Sequence, residues 1–110
     1  MADLAKGQKA KPLSNTDGEL AGYLVFCPGC RCGHLFHTEK WDAGRGEPGP
    51  VWTFNGDVMK PTFGPSMLVN RNTPERRCHS FVRAGQILFL GDCFHDLRGQ
   101  EVALPDVDQW

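Results

Sequence analysis

The sequence predicts a small, mainly β domain, and three observations carry that expectation. Apolar and β-branched residues come in short runs bounded by turn residues. Glycine and proline are plentiful, 13 and 8 of 110 residues, which cuts the chain into brief segments. No stretch repeats its apolar residues with the period of about 3.6 that an amphipathic helix requires. The expected product is an antiparallel sheet or hairpin domain spanning residues 21–110, preceded by a disordered tail over residues 1–20.

The tail is expected because "MADLAKGQKAKPLSNTDG" carries Lys6, Lys9 and Lys11 and almost no bulky apolar side chain. Such a segment cannot bury enough surface to offset its ordering entropy. The first expected strand is "GYLVFC", running into the tight turn Cys27-Pro28-Gly29-Cys30. "LFHTEKW" is the expected return, with Leu35, His37, Glu39 and Trp41 on one face. "DAGRGEPGP" is a loop by composition. "VWTFNGDV" reads as a strand ending at the Asn55-Gly56 turn signal. Pro61 and Pro65 in "KPTFGPSMLVN" exclude a helix and place that segment at a sheet edge or rim. The best-defined element is "SFVRAGQILFL", a hairpin turning at Ala84-Gly85, where glycine supplies a positive φ. "VALP" is a candidate last strand.

A net charge of −1 supplies no basic field for nucleic acid. No apolar run approaches the ~18 residues of a membrane span, and no apolar core follows the N-terminal lysines as in a secretion signal. A cytoplasmic protein is expected.

Five cysteines are an odd number, so a closed disulfide set would leave one thiol over. Cys27-Pro-Gly-Cys30 has the spacing of a zinc knuckle, in which two thiolates address one ion. A redox pair uses the same spacing, but its βαβ setting is missing. The second half brings Cys78, His79, Cys93 and His95. If Arg83 pairs with Gln86 across the hairpin turn, Cys78 and His79 fall opposite Gly91 and Leu90. Cys93 and His95 then lie just past the same end. Strand side chains alternate, so Cys78 and His79 cannot both serve one ion unless the strand ends or bulges between them. The first-choice ligand set for Zn2+ is Cys27, Cys30, Cys78 and His95, with His79 and His34 as rivals for the fourth place. Cys32 and Cys93 are left spare, as small buried apolar groups.

A closed four-ligand zinc is structural, whereas a catalytic one keeps a water. Asp92 or Asp96 could serve as general base in the catalytic version. Asp92 could equally orient a ligand or cap the "GDCF" turn. Ser66, after Pro65, is expected to be a turn residue, because no nucleophile-elbow pattern surrounds it.

"CPGC…GH", "WTFNGD", "PTFGPS", "RCHSFV", "GQILFLGDCFH" and "LRGQEVALPD", in that order, resemble small phage and prophage proteins commonly labelled "ammonia monooxygenase". More distantly, the chain is similar to small Cys/His domains that accompany bacterial ubiquitin-like conjugation genes, suspected of being zinc-dependent peptidases. That second likeness implies Cys27, Cys30, Cys78 and His79 as the metal set. The expectation for the whole is a phage or prophage accessory protein with a structural zinc, acting by binding a host or phage protein. Trp41, Trp52 and Phe63 are its candidate contact residues. The alternative is a peptidase-like zinc hydrolase, with Asp92 as its catalytic residue.

Overall fold

The computed structural model describes residues 7–44 and 46–110. They form ten β-strands and two short 3-10 turns, with no α-helix among the described residues. The mainly β expectation holds. Strands β1 (Lys11–Ser14), β2 (Leu20–Cys27) and β3 (Cys32–His37) form one antiparallel sheet in that order. A second sheet has the order β10-β9-β8-β7-β6, built from β6 (Thr53–Phe54), β7 (Phe63–Val69), β8 (Cys78–Arg83), β9 (Gln86–Phe89) and β10 (Glu101–Ala103). Between the two runs of sequence, β4 (Asp42–Gly44) and β5 (Glu47–Pro48) pair as a small ribbon inside the expected loop.

The hairpin β8–β9 has the expected register, Arg83 against Gln86. Ala84 and Gly85 both take positive φ, 49° and 80°, the backbone that a two-residue turn needs to follow the strands' twist. Alternation along β8 sends Cys78, Ser80 and Val82 inward and leaves His79 and Phe81 on the outer face. The core joins both sheets. Val25 and Phe36 from the first meet Phe63, Val82, Ile87 and Phe89 from the second. Phe63 stacks on Phe36 at 4.4 Å and on Phe54 at 4.9 Å. Each fully buried side chain of this kind contributes about 1.5–3 kcal/mol.

The N-terminal segment differs from the expected tail. Residues 1–6 lie outside those described, but from residue 7 onward the chain is built into the fold. Lys11 to Ser14 pair with β2, Ala10 is fully buried, and Gln8 accepts a backbone bond from Val107. Lys9 adds an ion pair to Asp106 at 2.6 Å. Few apolar side chains were needed, because β1 is held by its backbone ladder. Phe63, expected as an exposed contact residue, is a core residue at 2% exposure. Among the described residues no helix is long and apolar enough to cross a membrane.

Candidate active site and metal centre

The inner face at the start of β8 carries a cluster of thiols. Ligand atoms of Cys27, Cys30, His34 and Cys78 all lie within 4.8 Å of one another, so this group could hold a metal ion. The turn after β2 presents Cys27 and Cys30 together. The Cys30 N–H donates to the Cys27 sulfur at 3.3 Å, and Arg31, at φ 59°, reverses the chain so that β3 returns His34 inward. Cys27 and Cys78 sulfurs stand 4.0 Å apart, close to the ~3.8 Å edge of a tetrahedron with Zn–S bonds of about 2.3 Å. His34 is buried, and its Nε2 has no hydrogen-bond partner among the described residues. A buried polar atom left unpaired costs about 1–3 kcal/mol, and an ion removes that cost. The donor set therefore fits a soft divalent metal.

Electrostatics agree. The Cys78 thiol's hydrogen bond holds Cys27 down to about 4, and the same bond, with burial, pushes Cys78 up. Burial, then the nearby Cys27 charge, pushes Cys30 up to about 12. Without an ion the pocket tolerates one thiolate, and the other sulfurs keep their protons. A divalent cation is what lets three thiolates coexist.

His95, the first-choice fourth ligand, sits in a second group with Cys78 and Cys93. Its Nδ1 accepts the Leu97 N–H at 3.3 Å, so Nε2 carries the proton and faces the Cys78 sulfur at 3.6 Å. The same separation also fits two ligands of one ion, and Cys78, Cys93 and His95 are a group that could hold a metal. Gly29 is the surface on which the ring rests. A Cβ there would come within 2.2 Å of it. Cys93 does not join the first group. Its sulfur takes the His79 N–H at 3.2 Å and donates to the His79 carbonyl at 3.1 Å. Cys32, expected to be spare and buried, is exposed.

His79 belongs to neither group, among the described residues. Its ring points to the other face of β8, where two partners hold it. Nε2 is 3.0 Å from the Ser66 hydroxyl, and Nδ1 is 3.3 Å from the Asp92 carboxylate. A carboxylate only accepts, so Nδ1 carries the imidazole proton and Nε2 is left to accept from Ser66. Ser66 is held in turn by its own backbone, whose carbonyl takes the Trp52 indole N–H at 3.2 Å. The order hydroxyl, imidazole, carboxylate is the arrangement of a nucleophilic triad.

Residues 2–90 match the model of a family described as the bacterial ubiquitination-like system serine protease, BubE. The chain belongs to the BubE family. No curated protein and no solved structure matches it. BubE membership corrects the expectation of a phage accessory protein that acts only by binding, since the family is described as a protease. It favours the peptidase-like alternative. It also supports the likeness to domains of bacterial ubiquitin-like systems, and gives no support to the "ammonia monooxygenase" label. Ser66, which the sequence marked as a turn residue, is the member that sequence reasoning missed. The Pro65-Ser66 step is itself part of the likeness to the ubiquitin-like-system domains, but what sets its role is spatial: β7 carries the hydroxyl to the His79 ring.

Proposed function

We propose that this chain is a serine protease in which Ser66 is the nucleophile, His79 the general base and Asp92 the group that orients and charges-balances the imidazole. The hydrogen-bonded chain Ser66–His79–Asp92, in a member of a family described as serine proteases, carries the reading. The Ser66 oxygen bonds to a peptide carbonyl carbon as its proton passes to His79 Nε2, and the carbonyl π electrons move onto oxygen. Collapse breaks the C–N bond, and His79 returns the proton to the departing amine. Water then enters by the same route and releases the acyl group. Asp92 keeps the proton on Nδ1 throughout and stabilises the imidazolium that forms. The substrate is a protein of a bacterial ubiquitination-like system, in keeping with the family description.

The metal is zinc, held by Cys27, Cys30, Cys78 and His34, with His95 supporting Cys78 from the side. His34 is preferred because its buried Nε2 has no other partner among the described residues. Four protein ligands leave no position for water, so the ion supplies folding energy and no chemistry. Cys78 and His79 are neighbours in sequence, so the ion fixes the strand from which the base projects.

Labelling with a fluorophosphonate tests the nucleophile. The wild-type protein should be modified at Ser66, and Ser66→Ala and His79→Ala should lose labelling while keeping one zinc per chain and the wild-type melting temperature. An unlabelled Ser66 in folded, zinc-loaded protein would sink the reading.

A further inference from the structure

The two sheets leave a gap whose lining on β7 begins at Met67, one residue from the nucleophile. Among the described residues, strand β3 pairs only with β2, and β7 is covered on its far side only where β6 meets Phe63 and Gly64. The edges of β3 and of β7 beyond Ser66 therefore face each other unpaired. Trp52 closes one end: its N–H donates to the His37 carbonyl of β3 at 2.8 Å, and its indole N–H to the Ser66 carbonyl of β7 at 3.2 Å. The thiol cluster closes the other end, with Cys32 opposite Cys27 and Val69 opposite Cys78. Between them lies a cleft of about 340 Å³ bordered by His34, Leu35, His37, Trp41, Trp52 and Leu68 among others, at the small end of the roughly 300–1,000 Å³ of ligand sites.

Backbone alternation decides what the cleft offers. The His79 carbonyl accepts from the Leu90 N–H just past β9, so His79 faces β9 and Ser80 faces β7. Met67, opposite Ser80, faces back to β8, and Leu68 turns its N–H and C=O into the gap. On the other wall, the Thr38 N–H bonds to Ala21 of β2, while His37 faces Trp52. Leu35 and Gly33 share the orientation of His37. Each wall thus presents strand-edge donors and acceptors, and the border holds no carboxylate, lysine or arginine.

We infer that the acyl-side segment of the substrate enters this gap as an extended strand, hydrogen-bonded to Leu68 and Leu35, with its last carbonyl at Ser66. The inference rests on the proposed nucleophile. Strand β3 runs from the thiol end to the Trp52 wall and β7 runs the opposite way, so an inserted strand is antiparallel to one and parallel to the other; set antiparallel to β7, it runs from Val69 towards Ser66. Its C-terminal end therefore meets the hydroxyl beside the Trp52 wall. Main-chain bonds hold such a peptide and the apolar border selects an apolar side chain next to the scissile bond.

A matched pair of inhibitors tests this: a trileucine boronic acid, and the same compound N-methylated at its two internal amides. The unmethylated compound should inactivate at least tenfold faster, and its adduct should slow amide hydrogen exchange at Leu68 and Leu35 at least tenfold. Equal rates for the two compounds, reaction of neither, or unchanged exchange at both leucines would overturn the strand site. Fluorophosphonate labelling of Ser66 is read in parallel. If labelling persists, only the strand site fails, and if it is lost, the nucleophile itself fails.

Discussion

Asp92 stands further into solvent than the imidazole it faces, with side-chain exposures of 43% and 26%. Solvent weakens the Coulomb term between them, so the value of the carboxylate lies in fixing which nitrogen carries the proton. Asp92→Asn preserves the shape and reverses that choice. Turnover should fall by about 10⁴-fold, as for the corresponding change in other triads, with zinc content and melting temperature unchanged. Steady-state kinetics beside metal analysis checks both halves. A second residue has its own titration. His37 stacks on Trp41 at 3.7 Å, and burial pushes its pKa below the ordinary 6.5. A depressed folded pKa means that the unfolded chain takes the proton first. The histidine's contribution to stability is whole above pH 6.5 and is lost as pH falls through the lower folded value. Trp41 fluorescence should be quenched by the imidazolium with a midpoint below 6.5, and His37→Gln should abolish that step.

Strand β8 carries Cys78 of the thiol cluster on one face and His79 of the proposed triad on the other, and its neighbours follow that division. Cys78→Ser should cost zinc and turnover together, because the strand that positions His79 loses its anchor. Cys32→Ser, at an exposed position, should change neither. Gly29 matters for a contact: a methyl there meets the His95 ring at 2.2 Å, so Gly29→Ala should lower the melting temperature and loosen zinc, read by competition with a chromophoric chelator. The hairpin was legible in the sequence because Ala84-Gly85 fixes its register from the turn outward. The pairing of β7 with β8 was not. It shifts between Phe63 and Met67, and that irregularity determines whether Ser66 or a neighbour reaches His79. The choice between His34 and His95 was closed to alternation arguments for a similar reason, since the reversal at Arg31 sets which face of β3 meets the cluster.

For the whole molecule, a core shared by two small sheets is drawn together at one end by stacked aromatics and at the other by sulfur. Removal of the proposed zinc should therefore lower the melting temperature and expose apolar surface, seen as dye binding. Affinity should also depend on pH. Cys30 at about 12 and Cys78 pushed up mean that both enter the metal-free pocket as thiols, and protons compete with the ion. Each proton released makes binding about tenfold tighter per pH unit, so two give roughly a hundredfold, and acid strips the site. The fold class was legible because short apolar runs and turn residues are local properties. The ordering of β1 was not, since backbone pairing and a buried Ala10 leave little mark on composition.

Cys78 and His79 are joined by a single peptide bond, which makes their spacing a ruler with one permitted setting. Inserting one residue between them would turn the imidazole inward and leave Ser66 facing an empty place. Inserting two would restore the facing but carry the ring about 6.6 Å along the strand, out of reach of both partners. Length variation in this chain is thus tolerable in the ribbon of β4 and β5, and intolerable at that one bond.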